Sequence, residues 1–133
     1  MKINLMTNLF EKKVIFILFF ISFYSCNEKD ELKQKLMSEL YATQDIIIDG
    51  ESVMDSCDIN ILGFEKDVLH LPGFREDKHL NNSRWDLEIK NDKSYLIIKD
   101  TRFKGKYEIQ FFDHDNVIIF TSDRIKLKVQ RAL

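Results

Sequence analysis

Between Arg84 and Val129, apolar strand-length runs follow one another with very short connections, and that spacing limits the fold more than any other feature of the chain. A parallel crossover needs about a dozen residues or more, so neighbours joined this closely must run antiparallel. Trp85, Leu87 and Ile89 alternate with Asp86, Glu88 and Lys90, and Ile125, Leu127 and Val129 alternate with Arg124, Lys126 and Lys128. A period of two gives each strand one face for a core and one for water. Turn residues stand between the runs, at Asn91–Ser94, Thr101–Gly105, Asp113–Asn116 and Ser122–Asp123. Upstream, Ile46–Ile48 closes on Asp49-Gly50, Cys57–Leu62 on Gly63 and Val68–Leu71 on Pro72-Gly73, each a turn signal. The polar stretch Phe74–Ser83 is the longest candidate loop.

The pattern predicts a mainly β protein, an antiparallel meander of about seven strands. A sheet with one apolar face must curl or be covered. Curling gives a small curved sheet or half-barrel; covering gives an α+β arrangement in which a helix lies on the sheet. The one helical stripe, Leu32, Leu36, Met37, Leu40 and Tyr41, predicts that helix over residues 31–41.

The N-terminus carries a different signal. Lys12-Lys13 precede the apolar run Val14–Ser25, which ends on Cys26 and gives way at once to Asn27-Glu28-Lys29-Asp30-Glu31. The run is 12 residues long, whereas a helix crossing the hydrocarbon core needs about 20. Extension backwards would bury Glu11, Lys12 and Lys13 at about 2.5–3.5 kcal/mol each at mid-membrane. The layout therefore predicts a cleaved secretion signal, with processing between Ser25 and Cys26.

Phe23-Tyr24-Ser25-Cys26 resembles the lipobox of bacterial lipoproteins, with Ser25 at the small position and the large Tyr24 departing from the usual pattern. Lipoproteins of the Bacteroidetes are similar in tolerating a loose lipobox, and Lys29-Asp30-Glu31 resembles the export tag that many of their surface-displayed members carry after the acylated cysteine. The resemblance covers residues 1 to about 31. It implies acylation of Cys26, the membrane as a partner through that lipid, and residence in the cell envelope, at the outer membrane. The organisation expected is a signal peptide at 1–25, a polar lipid-anchored tether at 26–35 and one β-rich domain at 36–133.

Processing would leave 108 of the 133 residues, a single domain's worth. It would remove Lys2, Lys12, Lys13 and Glu11, taking the formal charge from −2 to −4. That balance lacks the basic footprint of a nucleic-acid binder. With Cys26 acylated, Cys57 has no intramolecular partner, which excludes a disulfide framework. Cys57, Ile59 and Ile61 share one face of an extended strand, so Cys57 reads as a small core residue.

Reactive groupings are sparse. Asp113-His114-Asp115 offers potential metal ligands, but neighbouring residues in a tight turn do not converge on one ion, so no metal and no cofactor are expected. His70 sits in an apolar strand and His79 in the polar loop, neither with a sequence-adjacent catalytic partner. Gly50, Gly63, Gly73 and Gly105 stand apart in separate turns and form no phosphate-cradling loop.

The reading is therefore a non-enzymatic, lipid-anchored module that binds an unknown protein or envelope component. The alternative rests on Trp85 and the Phe103-Lys104-Gly105-Lys106-Tyr107 segment, whose spacing resembles the lipocalin-like domains of Bacteroidetes lipoproteins. That resemblance implies a carrier for a small apolar ligand, held among Trp85, Tyr95, Phe103, Tyr107 and Phe111.

Overall fold

A computed structural model describes residues 27–76 and 82–132. Helix α1 spans residues 27–37 and is followed by twelve strands: β1 (Leu40–Ile48), β2 (Glu51–Ser52), β3 (Cys57–Ile59), β4 (Ile61–Phe64), β5 (Leu69–His70), β6 (Gly73–Phe74), β7 (Asn82–Ser83), β8 (Trp85–Lys90), β9 (Lys93–Ile98), β10 (Gly105–Phe112), β11 (Val117–Thr121) and β12 (Ile125–Arg131). The fold is mainly β and antiparallel, as the short connections require.

Nine strands form one continuous path in the order β7-β5-β4-β1-β12-β11-β10-β9-β8. Strand β2 adds a short pairing to β1, while β3 and β6 form a separate two-stranded ribbon. The two ends of the path, β7 and β8, are consecutive in the chain, separated by Arg84 alone. The sheet is thus a nearly closed barrel rather than the half-barrel of about seven strands that the sequence predicts. Closure comes from the first long strand meeting the last, with pairs running from Tyr41↔Arg131 to Ile48↔Ile125. No local pattern signals a pairing across so great a sequence separation.

The inward faces match the alternation. Trp85, Leu87, Leu96, Ile98, Tyr107, Ile109, Ile118, Phe120, Leu127 and Val129 are all buried. Phe64 lies at the centre of an aromatic group, with ring centroids 4.9 Å from Trp85 and 6.2 Å from both Tyr41 and Phe120. A second pair, Phe74 and Phe103, stacks at 5.9 Å where the β3–β6 ribbon meets the β9–β10 connection. Burial pushes both the Tyr41 and Tyr107 hydroxyls up to about 12, and Tyr107 donates to the Phe103 carbonyl at 2.6 Å.

Turn chemistry fixes the register. Asn91 and Asp92, with φ of 53° and 63°, form the two-residue connection between the paired Lys90 and Lys93, the left-handed geometry that suits a tight hairpin. The β10–β11 turn is less comfortable. Asp113, His114 and Asp115 all have positive φ, at 52°, 52° and 67°.

Helix α1 differs from the predicted 31–41. It is already helical at residue 27, within the stretch expected as a polar tether, and ends before Leu40 and Tyr41. Those two residues continue the helical spacing but join β1, where Tyr41 pairs with Leu62 on one side and Arg131 on the other. Backbone pairing on both sides overrides local periodicity.

The seam between β7 and β8 is held by side chains. Trp85 Nε1 donates to the Glu65 carbonyl at 2.6 Å, linking the start of β8 to the β4–β5 turn. Arg84 grips Asp100 with Nε and Nη2, both at 3.0 Å, while the Asp100 N–H donates to Ser83 Oγ at 2.9 Å. The guanidinium holds the Asp100 carboxyl down at about 2.

Candidate functional site

Ser25 and Cys26, the predicted cleavage and acylation positions, lie outside the described residues, as does His79. Asn27, the residue after Cys26, is already helical. The described start of α1 lies beside the β8–β9 hairpin. Between them runs a groove of about 340 Å³, lined by Glu28, Glu31, Leu32, Lys35, Ile89, Asp92 and Ser94.

The helix is fastened along its length. Lys29 pairs with Asp86 of β8 at 3.2 Å, and Lys33 lies 5.3 Å over the Trp85 ring. Partial burial, the largest influence on the Asp86 carboxyl, would raise its pKa, but the Leu87 N–H and Lys29 outweigh it and hold the group below the usual carboxylate range. Lys35 reaches Asp115 at 2.7 Å and sits 4.2 Å over the Phe111 ring, while Leu36 is fully buried in the core. Of the export-like residues, Lys29 is half-buried through its contact with the barrel, whereas Asp30 and Glu31 are exposed. The helical pattern of Leu32 and Leu36 was visible in the sequence; the lysine contacts to β8 and the β10–β11 turn were not.

The five aromatic residues proposed as an apolar pocket do not share one face. Trp85, Phe103 and Tyr107 are buried, and Phe111 is half-buried beneath Lys35. Tyr95 stands on the outer side of β9, opposite in parity to the buried Leu96 and Ile98, with Lys106 at 4.4 Å over its ring. The inward space near Trp85 is occupied by Phe64.

Other groups fall in separate places. Cys57 is a half-buried free thiol donating to the Ile59 carbonyl at 3.0 Å, and burial raises its pKa away from thiolate formation. Its expected companions on a buried face, Ile59 and Ile61, are exposed because the chain leaves β3 at Asn60 and enters β4. His70 bridges Glu65, at 3.1 Å, and Asn82, at 2.9 Å, contacts that no local motif announced. His114 projects from the exposed turn. Among the described residues, no group of three or more His, Cys, Asp or Glu side chains converges to hold a metal.

No family model, curated protein or solved structure matches the chain. Among the described residues no helix is long and apolar enough to cross a membrane.

On the outer wall, pairing aligns Phe112, Val117, Gln130, Ala42 and Ile61 in a row across β10, β11, β12, β1 and β4. Phe112 and Ile61 are 47% and 44% exposed, and Leu40 beside them 51%. Lys126 and Lys128 project from β12 next to this row. Along the sheet, β10 at one end of this row is two strands from β8 and β12 at its centre is four.

Proposed function

We propose that this is a lipid-anchored cell-envelope protein, acylated at Cys26 at the outer membrane, whose barrel is a non-enzymatic module for binding a protein or envelope component. The reading rests first on the Lys12-Lys13, Val14–Ser25, Cys26 sequence and its resemblance to Bacteroidetes lipoproteins. The observation that favours a binding module over a lipocalin-like carrier is the occupied interior, where Phe64 packs against Trp85, Tyr41 and Phe120 at 4.9–6.2 Å. An apolar ligand entering there would have to displace side chains packed at the density of a protein core.

Two measurements test this. Metabolic labelling with a fatty acid marks the wild-type chain and is lost in Cys26→Ala; persistent labelling of that variant places the lipid elsewhere and refutes the anchor. Native mass spectrometry of the gently extracted protein shows the acylated chain without a copurifying small molecule. A stoichiometric apolar ligand that survives extraction would replace the module with the carrier.

A further inference from the structure

We propose that Asp49-Gly50 is a self-modification site, at which the chain isomerises through a succinimide to isoaspartate, and that Arg124 is the clamp restraining it. Asp49 is the only aspartate in the sequence followed by glycine, and no asparagine is. The pair forms the exposed two-residue connection between the paired Ile48 and Glu51 of the β1–β2 hairpin, with φ of 50° and 86°.

The reaction needs an unscreened main-chain nitrogen and a protonated carboxyl beside it. Glycine supplies the first. Gly50 carries no side chain, and where one would stand there is open space with no neighbour within 4 Å. The ladder pairs the flanking Ile48 and Glu51, which leaves the Gly50 N–H at the tip of the turn. Its nitrogen attacks Asp49 Cγ; the N–Cγ bond forms, a Cγ–O bond breaks, and the carboxyl OH leaves with the amide hydrogen as water. Water then reopens the ring. Cleavage at Cγ restores aspartate, whereas cleavage at the main-chain carbonyl gives isoaspartate of unchanged mass, its backbone running through the side chain and one methylene longer.

Arg124 opposes this from three directions. Its Nε donates to Asp49 Oδ1 at 3.0 Å and its Nη2 to Oδ2 at 3.1 Å, while its carbonyl accepts the Asp49 N–H at 2.8 Å. Cyclisation expels one of the two oxygens that the guanidinium holds, so the fork must open first. The same hydrogen bonds hold the carboxyl below the usual carboxylate range, which thins the protonated form that cyclises. The site is thus guarded by a residue on β11–β12, far from it in sequence.

Ageing the full chain in neutral buffer, followed by peptide mapping with electron-transfer fragmentation, counts isoaspartate at each aspartate. Wild type accumulates it at residue 49, and Arg124→Gln does so roughly two- to fivefold faster, the scale set by an exposed ion pair. Molar salt, which shortens the screening length to about 3 Å, speeds the wild type and leaves Arg124→Gln unchanged. Arg84→Gln loses an equivalent exposed fork, the one on Asp100 with both contacts at 3.0 Å, and keeps the wild-type rate at residue 49. Equal rates in wild type and Arg124→Gln overturn the clamp, as does an equal gain in Arg84→Gln or a rise at every aspartate, the mark of unfolding. Isoaspartate at other aspartates while residue 49 stays intact overturns the site, and the clamp with it.

Discussion

Trp85 is the residue on which both the core and the barrel seam depend, and two substitutions separate its contributions. Its side chain is 4% exposed, packs at 4.9 Å on Phe64 and donates to the Glu65 carbonyl at 2.6 Å. Trp85→Ala removes the indole from a packed interior, a change that costs about 3–5 kcal/mol. Trp85→Phe keeps an aromatic ring but deletes the N–H, leaving the Glu65 carbonyl to find water; stranding a buried acceptor costs about 1–3 kcal/mol, and the nearby solvent at this turn places the loss at the lower end. The difference between the variants, about 2 kcal/mol or more, is the packing contribution. Urea unfolding followed by far-ultraviolet circular dichroism measures both, since tryptophan fluorescence is lost with the residue. With m of about 1–1.5 kcal/mol/M for a domain of this size, the Trp85→Ala midpoint falls by about 2 M or more at unchanged m. Asp86→Ala and Glu88→Ala remove outward carboxylates from exposed pairs with Lys29 and Lys106, and each costs about 1 kcal/mol or less. Equal, small losses at Trp85, Asp86 and Glu88 would refute the assignment of inward and outward faces, and with it the core described above.

Three further outcomes follow from the geometry. His114→Gly relieves the middle of three consecutive left-handed residues and raises stability by about 0.5–1 kcal/mol in the same urea assay, because the left-handed conformation costs a side-chain-bearing residue about 1–2 kcal/mol and glycine's larger unfolded freedom returns part of the gain. Tyr41 and Tyr107 have hydroxyls raised from 10.0 to about 12; their contribution is complete below pH 10 and is lost as pH rises through 12, on the order of 2–3 kcal/mol per tyrosine, and Tyr107→Phe flattens that alkaline decline in a pH series of unfolding midpoints. Asp100, lowered from 3.8 to about 2 by Arg84, contributes stability that is present above pH 3.8 and lost as pH falls through 2; Asp100→Asn removes this acid-side dependence, which the same pH series detects.

The readable and unreadable parts of this chain divide along the range of the interactions. Alternation in Trp85–Lys90 and Ile125–Val129 was legible because each residue's fate depends on its parity within one strand. The two-residue strands β5 and β7 carry no measurable period, and β1–β12 closure joins opposite ends of the barrel domain, so the strand count and the near-closed barrel were not. Leu40 and Tyr41 show the conflict directly, since their spacing from Leu36 and Met37 suits a helix while the partners waiting at Gly63, Leu62 and Arg131 draw them into a sheet.

Tyr95 shows why a list of aromatic residues is weaker evidence than a register. The segment Tyr95-Leu96-Ile97-Ile98 is apolar throughout, so its own sequence leaves open which parity faces inward. The answer comes from β8, where Trp85 pairs with Ile98 and Leu87 with Leu96, and the clearly alternating strand imposes its inward set on the ambiguous one. Tyr95 then falls opposite Glu88, on the outer wall, and Lys106 covers its ring there while bridging to Glu88 at 3.1 Å. The same logic governs the placement of α1. Leu32 and Leu36 identify a helix that must rest on something, but its bed is chosen by Asp86, Phe111 and Asp115, residues brought together by strands paired far downstream. Where α1 lies is thus a property of the barrel's register rather than of the N-terminal sequence alone.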